Sequence, residues 1–458
     1  MSTTLADVNL LPPITTTPLE VNQRHRILDL PSELLAEILF HTDSSTSATD
    51  LKDARDRSCL GGGPVAASQV CSLWRQVALA YPNLWSRIRV TVVPGEDASS
   101  AIIQAIDGRI ARAGEHPISI DYVEIGRVGP RSPLVRLMEY SHLWESISLT
   151  LTHTPLSYLA SLHGALPRLR TVNITANLVC AFWMGERSEV QRVFAEAPLL
   201  SSFAYRVPGS GAVELPFVLP WEQLLHYSGP LFTVANPPRY ARSLLKHAQV
   251  LAASDVTSFT SWARTELPAL RALSAYVQTF SGLVAPALTD LRVRGSLIGT
   301  DVGRLLTFLN RSECKLRKLA MYAVLLGPQA DTLVEACGAV EELVCAAGRE
   351  SNAWVGRLPR LRELTLIIVT HPAAGAGEVP GLSYLVESGA LAEIVRTREE
   401  KQPQLSKVDL WLNEDCQDAL RSEAASELKR AGSESGVEIT FHLYKGERSA
   451  LMDRWMDV

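Results

Sequence analysis

Several absences narrow the chemistry open to this 458-residue chain. No apolar run approaches the roughly 20 residues needed to span a bilayer, so no membrane partner is expected. Met1 to Thr17 has neither a basic start nor a long apolar stretch. No secretory signal is therefore expected, and the compartment reads as cytoplasmic, nuclear or both. The seven cysteines (Cys59, Cys71, Cys180, Cys314, Cys337, Cys345, Cys416) are odd in number, scattered and without a Cys-x-x-Cys pair. That pattern suits buried free thiols in a reducing compartment, not a disulfide framework or a zinc cage. A net charge of −5 supplies no broad positive field, so nucleic acid is not an expected partner.

Catalytic signatures are missing as well. There is no Gly-x-x-x-x-Gly-Lys phosphate loop, no His-Glu-x-x-His and no Gly-x-Ser-x-Gly elbow. The glycine-rich stretch Ala373 to Gly381 opens no helical pattern and reads as a connection. His41, His142, His153, His163 and His226 stand apart from cysteine and carboxylate partners at ligand spacing. No catalytic residue, metal or cofactor is expected, and the chain reads as a non-enzyme.

What the sequence does contain starts near its N-terminus. Residues 1–25 are polar and aperiodic and read as a disordered tail. Leu30, Leu34, Leu35, Ile38 and Leu39 then recur at helical spacing behind Pro31, which suits a first helical turn. Val70, Leu73, Trp74 and Val77 repeat that spacing before Pro82 stops it. Between the two pieces lies 41–67, with Ser44-Ser-Thr-Ser47 and Gly61-Gly-Gly-Pro64, a flexible insertion by composition. Two short amphipathic helices must bury their apolar faces on each other, on the rest of the chain or on another protein.

Leu30-Pro31, Leu34, Ile38 and Val70-Cys71-x-x-Trp74 resemble an F-box, and Pro82-Asn-Leu-Trp85-Ser-Arg-Ile88-Arg-Val90 follows as it does in the fungal F-box-like family with leucine-rich-repeat-like C-terminal regions. The resemblance covers about sixty residues directly. It implies that Leu30, Pro31, Leu34, Leu35, Ile38, Val70 and Trp74 contact a Skp-type adaptor bound to a cullin scaffold. An ordinary helical hairpin packed on the following region would use the same residues.

A second pattern fills most of the chain. The helical stretch Asp97 to Arg112 ends at Gly114, and 117–123 alternates as a strand does. Ser141 to Leu149 then echoes Pro82 to Val90. The phrase Pro-x-Leu-x-x-Leu-x-Leu recurs from Pro167, Pro198, Pro268, Pro286, Pro359 and Pro403, with weaker copies from Glu222, Ala248, Cys314 and Gly338. Gaps between the ten starts are 31, 24, 26, 20, 18, 28, 24, 21 and 44, mostly near the 20–29-residue period of leucine-rich repeats. The last gap has room for a degenerate extra unit. Helical patterns fall at 188–195, 302–309, 382–398 and 414–430.

The expected fold is α/β. A helical F-box-like module at 26–90 precedes an irregular leucine-rich-repeat-like solenoid with a parallel sheet at 91–445, and 446–458 forms a tail. Strands are expected at 169–174, 288–293, 361–366 and 405–410. Residues flanking the last two core positions of each copy face away from the core. One such row is Asn173, Ala204, Ser274, Arg292, Ala320, Thr365 and Asp409. The next is Thr175, Arg206, Tyr276, Arg294, Tyr322, Ile367 and Trp411. Arg206, Tyr276, Arg292, Arg294, Tyr322 and Trp411 are the candidates for binding a protein substrate, since Arg, Tyr and Trp anchor interfaces most often. The expected function is a substrate-recruiting adaptor of a cullin–Skp ubiquitin ligase. The alternative is a non-catalytic interaction scaffold with no ubiquitin-ligase role.

Overall fold

The computed structural model describes residues 30–42, 63–93, 99–126, 133–162, 164–177, 192–208, 215–230, 245–253, 265–297, 299–323, 328–346, 357–367, 405–413 and 423–444. Both terminal tails, the helical pattern at 382–398 and most of the 41–67 insertion lie outside these residues. So do Cys59, Cys180 and Cys416.

Three helices come first: α1 (Ser32–Thr42), α2 (Gly63–Val70) and α3 (Ser72–Ala80). Pro31 stands just before α1, and its carbonyl accepts the Leu35 N–H at 3.0 Å. A 3-10 turn, Pro82–Trp85, ends this unit and leads into β1 (Arg87–Val92). Then follow α4 (Ser99–Ala113), β2 (Ile118–Glu124), α5 (Pro133–Met138), β3 (Trp144–Leu151), β4 (Thr171–Ala176), β5 (Ser202–Arg206), β6 (His226–Gly229) and β7 (Val250–Ala253). After the short β8 (Thr265–Glu266) come β9 (Ala272–Tyr276), β10 (Leu283–Val284), β11 (Asp290–Leu297), α6 (Gly299–Ser312), β12 (Lys318–Ala323), α7 (Pro328–Ala336) and β13 (Glu342–Ala346). The chain continues through β14 (Glu363–Ile367), β15 (Lys407–Asn413), α8 (Glu423–Glu434) and β16 (Glu438–Tyr444).

This is a mixed α/β fold with a large parallel sheet. Fourteen strands form that sheet in chain order, β1 to β7, then β9, then β11 to β16, while β8 and β10 pair separately. Parallel neighbours in chain order require each crossover to return along the same face. Among the described residues, the connections hold α-helices near both ends of the sheet and 3-10 segments, such as Leu156–Leu162 and Trp221–Gln223, between β3 and β6.

A period of two fixes which side chains are buried. Ile147, Val172, Phe203, Tyr227, Leu251, Leu273, Leu291, Leu319, Leu343, Leu364 and Val408 align across successive strands and are all buried. They share one continuous core with Ile102, Ile106 and Ile110 of α4 and with Val302, Leu305 and Phe308 of α6. The core runs from Leu35 to Val437 without a break. Under β5 and β6 it is aromatic: Phe194, Phe203 and Phe217 meet edge to face at 5.1–5.9 Å.

All ten copies of the repeated phrase lead into strands of this sheet. Each strand starts later than the phrase predicts, at Thr171, Asp290, Glu363 and Lys407. The phrase's first leucine lies in the turn before the strand, buried as Leu169, Leu288, Leu361 and Leu405. Those turns share a backbone device. The N–H groups of Thr289 and Asp290 both donate to the Arg271 carbonyl, those of Arg317 and Lys318 to Thr289, and those of Glu341 and Glu342 to Arg317. One carbonyl thus holds two donors where each strand begins.

Three expectations need correction. Leu251 fills the core column beside Leu273, so Ala248 holds the position of the phrase's first leucine and its unit starts two residues earlier than the sequence reading placed it. The 44-residue gap adds no strand to the sheet, because β14 pairs directly with β15. The boundary at 90 falls inside β1, whose pairing with β2 makes it part of the sheet. The helix expected to end at Gly114 does so: α4 stops at Ala113, and Gly114 takes φ +60°, a C-terminal conformation that favours glycine.

Candidate interaction surfaces

The α1 residues that the sequence reading put on one face divide into two. Leu35 and Leu39 turn into the core and are fully buried, Leu35 at 0% exposure. Leu34 and Ile38, also four residues apart, stand 54% and 41% exposed. An apolar stripe wider than its core contact is what leaves two large side chains outside. Leu35 therefore supports the helix and is not itself available to a partner. Val70 at the end of α2 is 63% exposed, and Val65 and Leu79 are exposed too. Leu30 is half-buried and Pro31 exposed.

Trp74 is half-buried and packs against the core, and its indole Nε1 is buried with no hydrogen-bond partner among the described residues. Its role here is packing. The neighbouring Trp85 is buried and donates from Nε1 to the Ala78 carbonyl at 2.7 Å, pinning the turn to α3. Arg75 Nε donates to the Ser68 carbonyl at 2.9 Å, tying α3 to α2.

On the sheet face opposite the core, the expected first row is in register across the whole molecule. Arg89, Asp121, Ser148, Asn173, Ala204, Ser228, Ala252, Ser274, Arg292, Ala320, Val344, Thr365, Asp409 and Thr440 oppose one another strand by strand. Accessibility over this face, both rows included, is uneven. Asn173 and Arg206 are exposed, but Ala252, Ser274, Ala320, Thr365 and Ile367 are buried. The more open part lies over β3 to β6.

The proposed substrate residues separate accordingly. Arg292 is half-buried and pairs with Asp290, Nε to Oδ1 at 3.5 Å, so part of its charge is answered within its own strand. Arg294 donates from Nε to Ser274 Oγ at 3.1 Å and lies directly opposite Tyr276. Gly295 has φ +77°, and a Cβ there would come within 3.2 Å of the Tyr276 ring. This glycine makes a bulge that shifts the register between Val293 and Ser296. In the strand register Tyr322 is consequently paired with Ser296 and not with Arg294, so the two tyrosines do not take equivalent places beside the arginines.

Trp411 is half-buried and remote from Arg294, four strands further along the sheet. Its ring stacks on His442, centroids 4.6 Å apart, and His442 Nε2 hydrogen-bonds Asp409 Oδ1 at 3.0 Å. Lys407 Nζ meets Asp409 Oδ2 at 2.8 Å. Burial pushes the Asp409 carboxyl up, but the hydrogen bonds from Lys407 and His442 outweigh it and hold the group below the usual range. Asp409 in turn raises the Lys407 ammonium through their hydrogen bond. The six residues thus form no single patch.

The sequence reading missed Glu124, the last residue of β2 and almost fully buried. Its Oε2 accepts the N–H groups of Thr152, His153 and Thr154, and its Oε1 accepts the hydroxyls of Tyr122 and Thr154. It holds the turn after β3. A glutamate at a strand end carries no distinguishing local signal.

Among the described residues, no three His, Cys, Asp or Glu side chains gather as a metal-binding group, and no helix is long and apolar enough to cross a membrane. No protein-family model matches the chain, and a search of curated proteins returned no significant match.

Proposed function

We propose that the chain is a substrate-recruiting adaptor of a cullin–Skp-type ubiquitin ligase, with an F-box-like helical module carried on a leucine-rich-repeat-like solenoid. The observation that carries this reading is the division of α1: Leu35 and Leu39 anchor it, while Leu34 and Ile38 present apolar side chains outward. Exposed large aliphatics on a short helix are unfavourable for an isolated chain unless a partner covers them. The repeated strand-and-turn unit supports the second half of the reading, since each unit buries its apolar face only against its neighbours. In this reading the ligase supplies the chemistry, and this chain supplies proximity to a bound protein.

Full-length protein is the right reagent, because the core joins α1 to the sheet and a fragment ending at 90 would cut β1. Leu34→Asp with Ile38→Asp places charges on exposed positions, so the thermal melt stays within a few degrees of wild type while binding to a purified Skp-type adaptor is lost. Binding that survives the double substitution defeats the proposal. Leu35→Asp serves as the contrast: it buries an unpaired charge and unfolds the chain.

A further inference from the structure

Helix α6 packs on the turn formed by Val277–Phe280 and β10, and a cleft of about 360 Å³ opens between them. It is lined by Phe280 and Ser281 of the turn and by Thr300, Gly303, Arg304, Thr307 and Arg311 of the helix. The helix residues fall at i, i+3, i+4, i+7 and i+11, one face of α6. The opposite face, Val302, Leu305, Phe308 and Leu309, is in the core.

The walls are fixed. Phe280 stacks on Phe308 with centroids 4.8 Å apart, and the Ala285 N–H donates to Ser312 Oγ at 3.1 Å. Arg311 donates from Nε to the Leu283 carbonyl and from Nη2 to the carbonyls of Phe280 and Leu283, at 2.7–3.0 Å. Its Nη1 makes no bond to a described residue. Arg304 uses Nη1 on Asp301 at 3.1 Å, and its side chain is 53% exposed. Ser281 and Thr300 bring hydroxyls to the same cleft, while the Thr307 hydroxyl on its wall donates to the Gly303 carbonyl at 2.8 Å. A guanidinium already held by three hydrogen bonds to two carbonyls loses little freedom when it takes an anion.

Gly303 supplies a separate observation. Glycine inside a helix weakens it, yet a Cβ at 303 would meet nothing within 4 Å. Packing does not require the glycine. What it does is keep the floor of the cleft open between Thr300 and Thr307.

We propose that this cleft binds a phosphate monoester, with Arg304 and Arg311 as charged donors and the Ser281 and Thr300 hydroxyls completing the set. It lies on the helical side of the molecule and is independent of the adaptor reading. The phosphate can be carried by a small molecule or by a phosphorylated side chain; both offer the same dianionic oxygens.

Isothermal titration of the full chain with inorganic phosphate, against chloride at matched ionic strength, tests it. Wild type gives saturable binding, and Arg304→Gln and Gly303→Leu each weaken it at least about tenfold. Gly303→Leu melts no lower than wild type without phosphate, so a loss of binding there is not a loss of fold. Competition by glycerol phosphate and by a phosphoserine peptide, each against its unphosphorylated form, shows which carrier the cleft prefers. Equal binding by all three proteins, or no saturable heat with any phosphate probe, overturns the proposal.

Discussion

The guanidinium carbon of Arg87 lies 3.8 Å from the centroid of the Phe40 ring. Phe40 belongs to α1 and Arg87 opens β1, so this contact joins the first helix to the first strand. Arg87 Nη1 also reaches the Phe40 carbonyl at 3.4 Å, and the buried Arg109 of α4 donates to the Arg87 carbonyl at 2.8 Å. Arg112 lies over Trp85, 4.8 Å from the ring centroid. Layers of arginine and aromatic rings thus lock the helical unit onto the sheet.

Arg87→Met keeps the aliphatic stem and removes the cation. Cation–π contacts are worth about 0.5–2 kcal/mol according to their exposure. The unfolding free energy of the full chain from urea denaturation should fall by an amount in that range, with Phe40→Leu giving a similar loss and the double variant less than the sum. Additive losses would mean that the two side chains are not coupled.

The Glu124 site predicts a difference between two substitutions. Glu124→Ala leaves the Thr152, His153 and Thr154 N–H groups without their acceptor, at a cost of about 3 kcal/mol or more by the usual penalty for unsatisfied donors. Glu124→Gln is milder, about 1–2 kcal/mol. Its amide oxygen can take the three backbone N–H groups, while its NH2 donates to the hydroxyl oxygens of Tyr122 and Thr154, which accept as readily as they donate. Equal losses in chemical denaturation would show that charge, not acceptor geometry, holds the turn.

The sheet was legible in the sequence because its determinants are local and repeat. Leu291 and Leu364 sit at the same place in copies of one phrase, and the fold puts them in one column. Even the weak copies from Cys314 and Gly338 lead into β12 and β13. The candidate surface was harder to read. A single bulge at Gly295 moves the partner of Tyr322 two places, from Arg294 to Ser296, and only strand pairing exposes that shift. Ala320, Thr365 and Ile367 stand in the row the period of two assigns them, yet they are buried. Alternation tells which face a side chain takes; whether that face meets water depends on the rest of the molecule. Helical spacing likewise grouped Leu34 with Leu35, because a stripe five residues wide cannot by itself say which edge packs.

Burial sets the reactivity of three thiols. It pushes Cys337 and Cys345 up to about 12 and Cys314 up to about 11. Thiolate is the reactive form, so at pH 8 these groups are almost wholly inert. Iodoacetamide labelling of the native protein, read peptide by peptide, should leave all three unmodified over a time that fully labels the urea-unfolded chain. Cys71, half-buried at the start of α3, should label first of these four. Rapid native labelling of Cys345 would contradict the placement of β13 in the interior.

The last prediction concerns acid. Asp409 is held below its ordinary value of 3.8, because the bonds from Lys407 and His442 outweigh the burial that works against its charge. A carboxyl whose folded value is depressed contributes stability that is present above the unfolded value and disappears as pH falls through the folded one. Lys407 is shifted the other way, so its share persists below the ordinary lysine value of 10.5 and is lost only as pH rises beyond it. The Lys407–Asp409 contribution is therefore constant from about pH 5 to pH 9. Asp409→Asn should lower the melting temperature throughout that range, and the gap to wild type should close below about pH 4. His442→Gln separates hydrogen bond from stacking: it keeps a donor for Asp409 but loses the imidazole stacked on Trp411. If the wild-type and Asp409→Asn melts stay equally far apart at pH 3 and pH 7, the aspartate stabilises β15 by packing and not by its charge.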